Sequence, residues 1–406
     1  MTSIQASQIP RPEWELILLC ARMTVDPLAQ ARINALMGQD LDWNFVLGTA
    51  HQHRVLPLVW RTLSRTVPDG PPELVMGRLR AAYLANAKRN LFLTSELFQV
   101  ADVLRAQDIP SVPYKGPVLA SLVYGDIGLR QFADLDIIVP AADVVRARQL
   151  MVARGYCPEK EMSDDELRAW LRVEKHITML RDELGINLEI HWGITTDRDP
   201  IQIRPRLLWG DLRDVTVAGT VVKTHSYENL LLIQCVHGGK HRWERLGWLC
   251  DVAEIVRSSR KLNWKSVIEN AEALGATRIL LLGLTMAKDL LGAAPPPEVL
   301  KAIREDADLV PLSKQVTGWL FHEGPVSLDL GEREQYFMNL RERSKDKLWV
   351  AVQQAKTYFT LTSRDTAALP RSGGFTGLLY LLRPIRLARE YGLAPFKRFF
   401  RGVFQC

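Results

Sequence analysis

Apolar residues recur at helical spacing through residues 10–90, so that positions three and four apart fall on one face. Glu13 to Met23 is one such stretch, and Val55 to Leu63 is another. Asp42 ahead of Trp43 predicts a helix start, because its carboxylate can accept from unpaired backbone N–H groups. Pro68-Asp-Gly-Pro-Pro predicts a turn, with a helix following to about Leu104. The pattern changes at Ile109. Pro110-Ser-Val-Pro-Tyr-Lys-Gly reads as a short strand closed by a glycine turn, and Val118 to Val123 as a short helix. Ala133 to Val139 predicts a strand stopped by Pro140, and Ala141 to Arg154 a helix. His176 to Leu180 and Ile186 to Trp192 predict a hairpin across Asp182-Glu-Leu-Gly185, and Val215 to Thr224 a second around Gly219. After the helix start Ser226-Tyr-Glu-Asn229, helical spacing returns and holds to about Thr360, broken at Pro295-Pro-Pro297.

This order describes an α+β protein: an N-terminal helical region over 1–104, a core of mixed strands and helices over 105–225, a C-terminal helical domain over 226–361, and a linker with a basic amphipathic tail over 362–406. The length of 406 residues exceeds one ordinary core. Apolar residues at 47% and charged residues at 24% exclude a disordered or fibrous chain. The five cysteines include no C-x-x-C pair, which argues against a disulfide framework or zinc ribbon and for a reducing compartment. The first residues lack the layout of a secretion signal, and the longest apolar run, near Ile279 to Ala287, is too short to span a bilayer. A cytoplasmic location is expected.

The net charge of +6 sits entirely in residues 371–406, which hold seven basic residues against Glu390. The neutral body makes nucleic acid an unexpected partner. The tail interleaves arginine with Leu379, Leu382, Ile385, Phe396 and Phe400, and Pro395 should separate two short helices. Such a tail either packs on the body or contacts an anionic membrane surface, which would make the protein peripherally membrane-associated.

The chemistry gathers in the core. Residues i and i+2 of a strand share a face, so Asp134 and Asp136 present two carboxylates together while Leu135 and Ile137 face inward. Two like charges this close call for a cation, and Mg²⁺ or Mn²⁺ suits oxygen ligands and phosphates. Glu189 supplies a third carboxylate on another apolar strand. Three carboxylates on adjacent strands meet the needs of metal-dependent phosphoryl or nucleotidyl transfer. The plainer alternative is a solvated Asp-x-Asp and a surface glutamate.

With Gly116 closing a strand ahead of this set, the chain resembles the polymerase-β-type nucleotidyltransferase superfamily. More narrowly, it resembles a largely uncharacterised bacterial nucleotidyltransferase family. The matching pieces are Asp42-Trp43, Lys115-Gly116, Tyr124, Leu129-Arg130, Asp134-Leu-Asp136, His176, Glu189-Ile-His191-Trp192 and Arg245-Leu-Gly-Trp-Leu-Cys-Asp251, within about residues 10–260. The superfamily usually has Gly-Gly or Gly-Ser where this chain has Lys115-Gly116, a departure that fits the narrower family. The resemblance implies a polymerase-β-like core flanked by helical domains, an NTP donor and a divalent metal. It leaves the acceptor and the oligomeric state open.

Roles follow as expectations. Asp134 and Asp136 would hold the metal, with Glu189 completing the site or taking the acceptor's proton. The Gly116 turn would admit phosphate to a helix N-terminus. Lys115 or Arg130 would neutralise phosphate, while Arg130 could equally pair with a strand aspartate. His191, on the face of Glu189, would touch the nucleotide, orient Glu189, or simply pack; His176 starts the preceding strand. His237, His241 and Arg242 surround two glycines that disfavour a helix, which argues against a zinc motif and for a loop closing over phosphates. Asp251 would bind the acceptor or pair with Arg245 or Arg242. The acceptor would be a small molecule, a sugar intermediate or a modified peptide, with protein or RNA as alternatives. A non-catalytic nucleotide-binding or interaction module is the rival class.

Overall fold

A computed structural model describes residues 9–195, 201, 203, 205–258, 262–324 and 330–359. The expectations for the tail, 362–406, lie outside the described residues. Helices α1 (Pro12–Cys20), α2 (Pro27–Met37), α3 (Trp43–Gln52) and α4 (Leu56–Thr66) precede the long α5 (Glu73–Arg105). Asp42 caps α3 as its sequence implies, accepting from Phe45 N at 3.0 Å. Helix α5 serves two cores. Val75 and Leu79 pack among the N-terminal helices, whereas Leu93, Leu97, Val100 and Leu104 pack under the sheet.

Strand β1 (Val112–Pro113) leads into α6 (Gly116–Leu119), which continues as a π-helical turn over Ala120–Tyr124. Then come β2 (Asp134–Ile138), α7 (Val144–Ala153), β3 (Cys157–Pro158), α8 (Asp164–Trp170), β4 (His176–Arg181) and β5 (Ile186–His191). The sequence pattern gave no sign of α8, which is started by a reciprocal Ser163–Glu166 capping box. The sheet order is β1-β2-β5-β4-β3. Only β2 and β5 run parallel, in a register that sets Asp136 beside Glu189. After α9 (Pro205–Trp209), strands β6 (Leu212–Val217) and β7 (Thr220–His225) form a separate ribbon. Thr224 Oγ1 donates to Pro113 O at 2.8 Å and ties that ribbon to the main sheet.

The C-terminal helices are α10 (Tyr227–Lys240), α11 (Leu246–Ser258), α12 (Trp264–Leu274), α13 (Thr277–Leu291), α14 (Pro297–Glu305), α15 (Leu309–Leu320), α16 (Leu330–Asn339) and α17 (Ser344–Phe359). Helix α13 is buried on nearly every side, which accounts for its apolar run. No helix among the described residues is long and apolar enough to cross a membrane.

The loop expected at His237 to Arg242 is helix as far as Lys240, the end of α10, which runs straight through Gly238 and Gly239; His241 caps it and Arg242 lies in the turn beyond. Packing overrides propensity here. A Cβ on Gly238 would stand 2.3 Å from the Trp243 ring, and one on Gly283 of α13 would stand 3.0 Å from it. The glycines are clearance for a fully buried tryptophan rather than hinges.

Candidate active site

A cavity of about 350 Å³ lies between the β2–β5 face of the sheet and helices α10 and α11. That volume lies in the range that holds small ligands. Strand alternation turns Asp134, Asp136, Glu189 and His191 toward it. His191 Nε2 lies 3.1 Å from Asp136 Oδ1 and 3.1 Å from Glu189 Oε2. Lys115, between β1 and α6, places Nζ 3.2 Å from the same Asp136 oxygen. The Asp136 carboxylate is almost fully enclosed, while Glu189 keeps 24% of its side chain exposed. His176, the cross-strand partner of His191 on β4, stacks on it at 5.3 Å, and Tyr114 meets its edge at 5.6 Å.

The electrostatics follow from these contacts. Burial alone would raise the pKa of Asp136, yet Lys115 and His191 hold it well below the usual carboxylate range. Burial likewise opposes the charge on Lys115, and Asp136 overrides it and pushes its pKa up. The His191 bond lowers Glu189. Asp134 has no such partner. Burial, then the like charge of Asp136, raises its pKa. Asp136, Glu189 and His191 bring one donor atom each within 4.8 Å of one another, a spacing that fits one cation. Asp134 lines the cavity beside them but is not in that close set.

The opposite wall comes from helices. His237 of α10 and His241 at its end meet at 4.6 Å with their rings tilted, and both rings lie against Trp248 of α11. Burial keeps both imidazoles neutral, lowering His241 to about 4. Lys240, Arg245 and Arg54, the last from the turn between α3 and α4, line the same wall.

Residues 39–292 match the profile of a family described as "Uncharacterised nucleotidyltransferase". The chain belongs to that nucleotidyltransferase family. Family membership makes it a transferase with an α+β nucleotidyltransferase core. A comparison with curated proteins returned no match. Among solved structures it is similar to the antibiotic-resistance factor ANT(2'')-Ia, known from a solution structure. The identity is 12%, the coverage 44% of this chain and 91% of that one, and the TM-score 0.32. That likeness is too distant to carry a role to any residue here.

Within this family member, four expected residues are placed or paired otherwise than the sequence implied. Arg130 pairs with neither strand aspartate. Its Nε and Nη2 grip Asp251 at 2.9–3.1 Å, and Tyr124 Oη donates to the same carboxylate at 2.8 Å. Asp251 is therefore buried and paired, a strut between α11 and the loop before β2, and it lines the cavity together with Arg130. Asn90 of α5 donates to Arg130 O at 2.8 Å and fixes that loop. Arg242 does not line the cavity and pairs with Glu244. Gly116 does not line it either: its φ of +53° explains the glycine through backbone geometry. Lys115, His191, His237 and His241 do face the cavity. Sequence reasoning missed Arg54 and Tyr114 as site residues, and no motif marks them; Lys240, within the expected His and Lys/Arg donor stretch, does line the cavity.

Proposed function

We propose that this protein moves a nucleoside monophosphate from an NTP to a hydroxyl or phosphate oxygen of an acceptor. The observation that carries this reading is the parallel register that sets Asp136 beside Glu189, with Asp134 two residues earlier on the same face. In the reaction the acceptor oxygen bonds to the α-phosphorus, the bond from that phosphorus to the bridging oxygen breaks, and pyrophosphate leaves. Asp136 and Glu189, with Asp134 beside them, would hold Mg²⁺ or Mn²⁺, and the ion would supply positive charge to the phosphates. Glu189, ionised and the most open of the close set, is placed to take the acceptor's proton. Lys115 keeps Asp136 ionised in the meantime. His191 bridges the two carboxylates and orients them. The residues from 105 to 225 would form the transferase core, with the helical regions closing the acceptor side.

The test is incubation of the full chain with each NTP and Mg²⁺ or Mn²⁺, with a pyrophosphate assay and mass analysis of protein and candidate small acceptors. Nucleotide-dependent pyrophosphate release, lost in Glu189→Gln, is the expected result. Binding of nucleotide without release under any metal, with any acceptor tried, would favour the non-catalytic module.

A further inference from the structure

Lys240, Arg54 and Arg245 line the helical wall, and no carboxylate among the described residues is in contact with any of the three; the two arginines are also neighbours. Arg54 follows α3 and Arg245 precedes α11, and both line the cavity. Among the described residues neither guanidinium has a carboxylate or hydrogen-bond partner; Arg245 lies 5.4 Å from the centre of the Trp248 ring. The cations nearer the sheet are already engaged, Lys115 by Asp136 and Arg130 by Asp251. Burial, and then the like charge of Arg245, pull the pKa of Arg54 down. Contacts bring the two together: His53, next to Arg54, bonds Leu246 and Gly247, next to Arg245, and a Cβ on Gly247 would stand 3.4 Å from Arg54 O.

The pair is held firmly. Arg54 has φ of 58°, a left-handed backbone that arginine rarely adopts. Its turn is closed by Arg54 N to His51 O at 3.0 Å and Val55 N to Ala50 O at 2.8 Å. The neighbouring His53 docks on the start of α11. Leu246 N donates to His53 Nδ1 at 3.2 Å and Gly247 N donates to His53 O at 3.0 Å. Gly247 permits the approach, since a Cβ there would stand 3.1 Å from His53 O. These bonds take the first free N–H groups of α11, so an anion on this wall would be met by side chains and not by the helix end.

Fixed like charges on a strained turn are unfavourable until an anion joins them. Two guanidinium forks match the several oxygens of a phosphate. We propose that Arg54 and Arg245 bind a phosphate group carried by the acceptor, on the wall facing the carboxylates that receive the donor. The word acceptor rests on the transfer reading above; the phosphate site itself does not.

The experiment is calorimetric titration of the full chain with inorganic phosphate, first alone and then with Mg²⁺ and a saturating mixture of the four NTPs. Saturable phosphate binding should persist beside nucleotide. Arg54→Gln and Arg245→Gln should each weaken phosphate about ten-fold or more while leaving nucleotide affinity within about three-fold. Melting curves check the fold: phosphate should raise the Tm of the wild type and not of the variants, and Arg→Lys at either site should give intermediate phosphate affinity. Direct competition between phosphate and nucleotide, with both variants losing nucleotide, would assign the pair to the donor and overturn the proposal. Absent phosphate binding, or equal binding in the variants, would also overturn it. If phosphate binds through the arginines and no nucleotide binds, the failure belongs to the transfer reading and the anion site stands.

Discussion

On the sheet wall, Asp136 is answered at 3.2 Å by Lys115 and at 3.1 Å by His191. On the helical wall, Arg54 and Arg245 meet no counter-ion among the described residues, and the histidines beside them are kept neutral by burial. The same cavity thus treats charge in two ways. A carboxylate wall that carries its own ammonium keeps its charge, and on the proposed reading a metal ion with its phosphates would displace that partner. A cationic wall with no partner is set for a ligand that brings negative charge of its own. On the proposed reading, the difference separates residues that would perform chemistry from residues that would hold a substrate in place.

The largest effect should come from breaking the compensated wall. Asp136→Asn should lower transfer by about a thousand-fold or more, roughly 4 kcal/mol at the barrier. It should also destabilise the fold by about 3 kcal/mol, because it leaves the Lys115 ammonium buried without its anion. Adding Lys115→Met should recover part of the stability and none of the activity, which denaturant melts and a pyrophosphate assay would separate. Full stability of Asp136→Asn alone would show that the pair is not coupled.

Next comes the strut joining the walls. Asp251→Asn weakens the anchor of Arg130 and Tyr124 and should cost about 3–5 kcal/mol, read by urea denaturation. A loss below about 1 kcal/mol, the level of an exposed pair, would return Asp251 to the role of an open ligand.

The histidines sharpen the contrast through pH. Burial, then Arg245, lowers the pKa of His53 to about 4. The unfolded chain binds this proton below about 6.5 while the folded site refuses it, so stability should fall as pH drops from about 6.5 to 4, by up to about 3 kcal/mol from this residue. His191 goes the other way: burial opposes its charge, but Asp136 and Glu189 raise its pKa. Its contribution in metal-free protein is complete below about 6.5 and is lost as pH rises through the raised value. Imidazole NMR titration of the metal-free chain should place His191 above 6.5 and His53 near 4. Matching midpoints would erase the distinction between the walls. The smallest effect is Gly238→Ala, which crowds Trp243 beneath the helical wall and should lower stability by about 1–3 kcal/mol in a thermal melt.

The legible parts were those encoded over short spans. Asp134 and Asp136 announce one face through two-residue spacing, and Asp42 announces a helix start. Glu189 was readable as a strand carboxylate, but its place beside Asp136 depends on a parallel pairing between strands more than fifty positions apart, as the His191–Asp136 separation of 55 shows. Asp251 was misread because its partner Arg130 lies 121 positions away. Gly238 and Gly239 looked like helix breakers because the sequence does not reveal the neighbours that need the space, Trp243 beside Gly238 and Ile279 beside Gly239. Arg54 was invisible: a left-handed turn with no glycine or asparagine leaves no mark in the chain.

The central claim is that the sheet wall receives a divalent cation together with nucleotide. Titration of the full chain with Mn²⁺, followed by electron paramagnetic resonance with and without NTP, tests it directly. The account predicts protein-bound Mn²⁺ that strengthens with nucleotide and is lost in Asp136→Asn and weakened in Glu189→Gln, while Arg54→Gln retains it. Equal Mn²⁺ binding in wild type and both carboxylate variants, with nucleotide present, would contradict it.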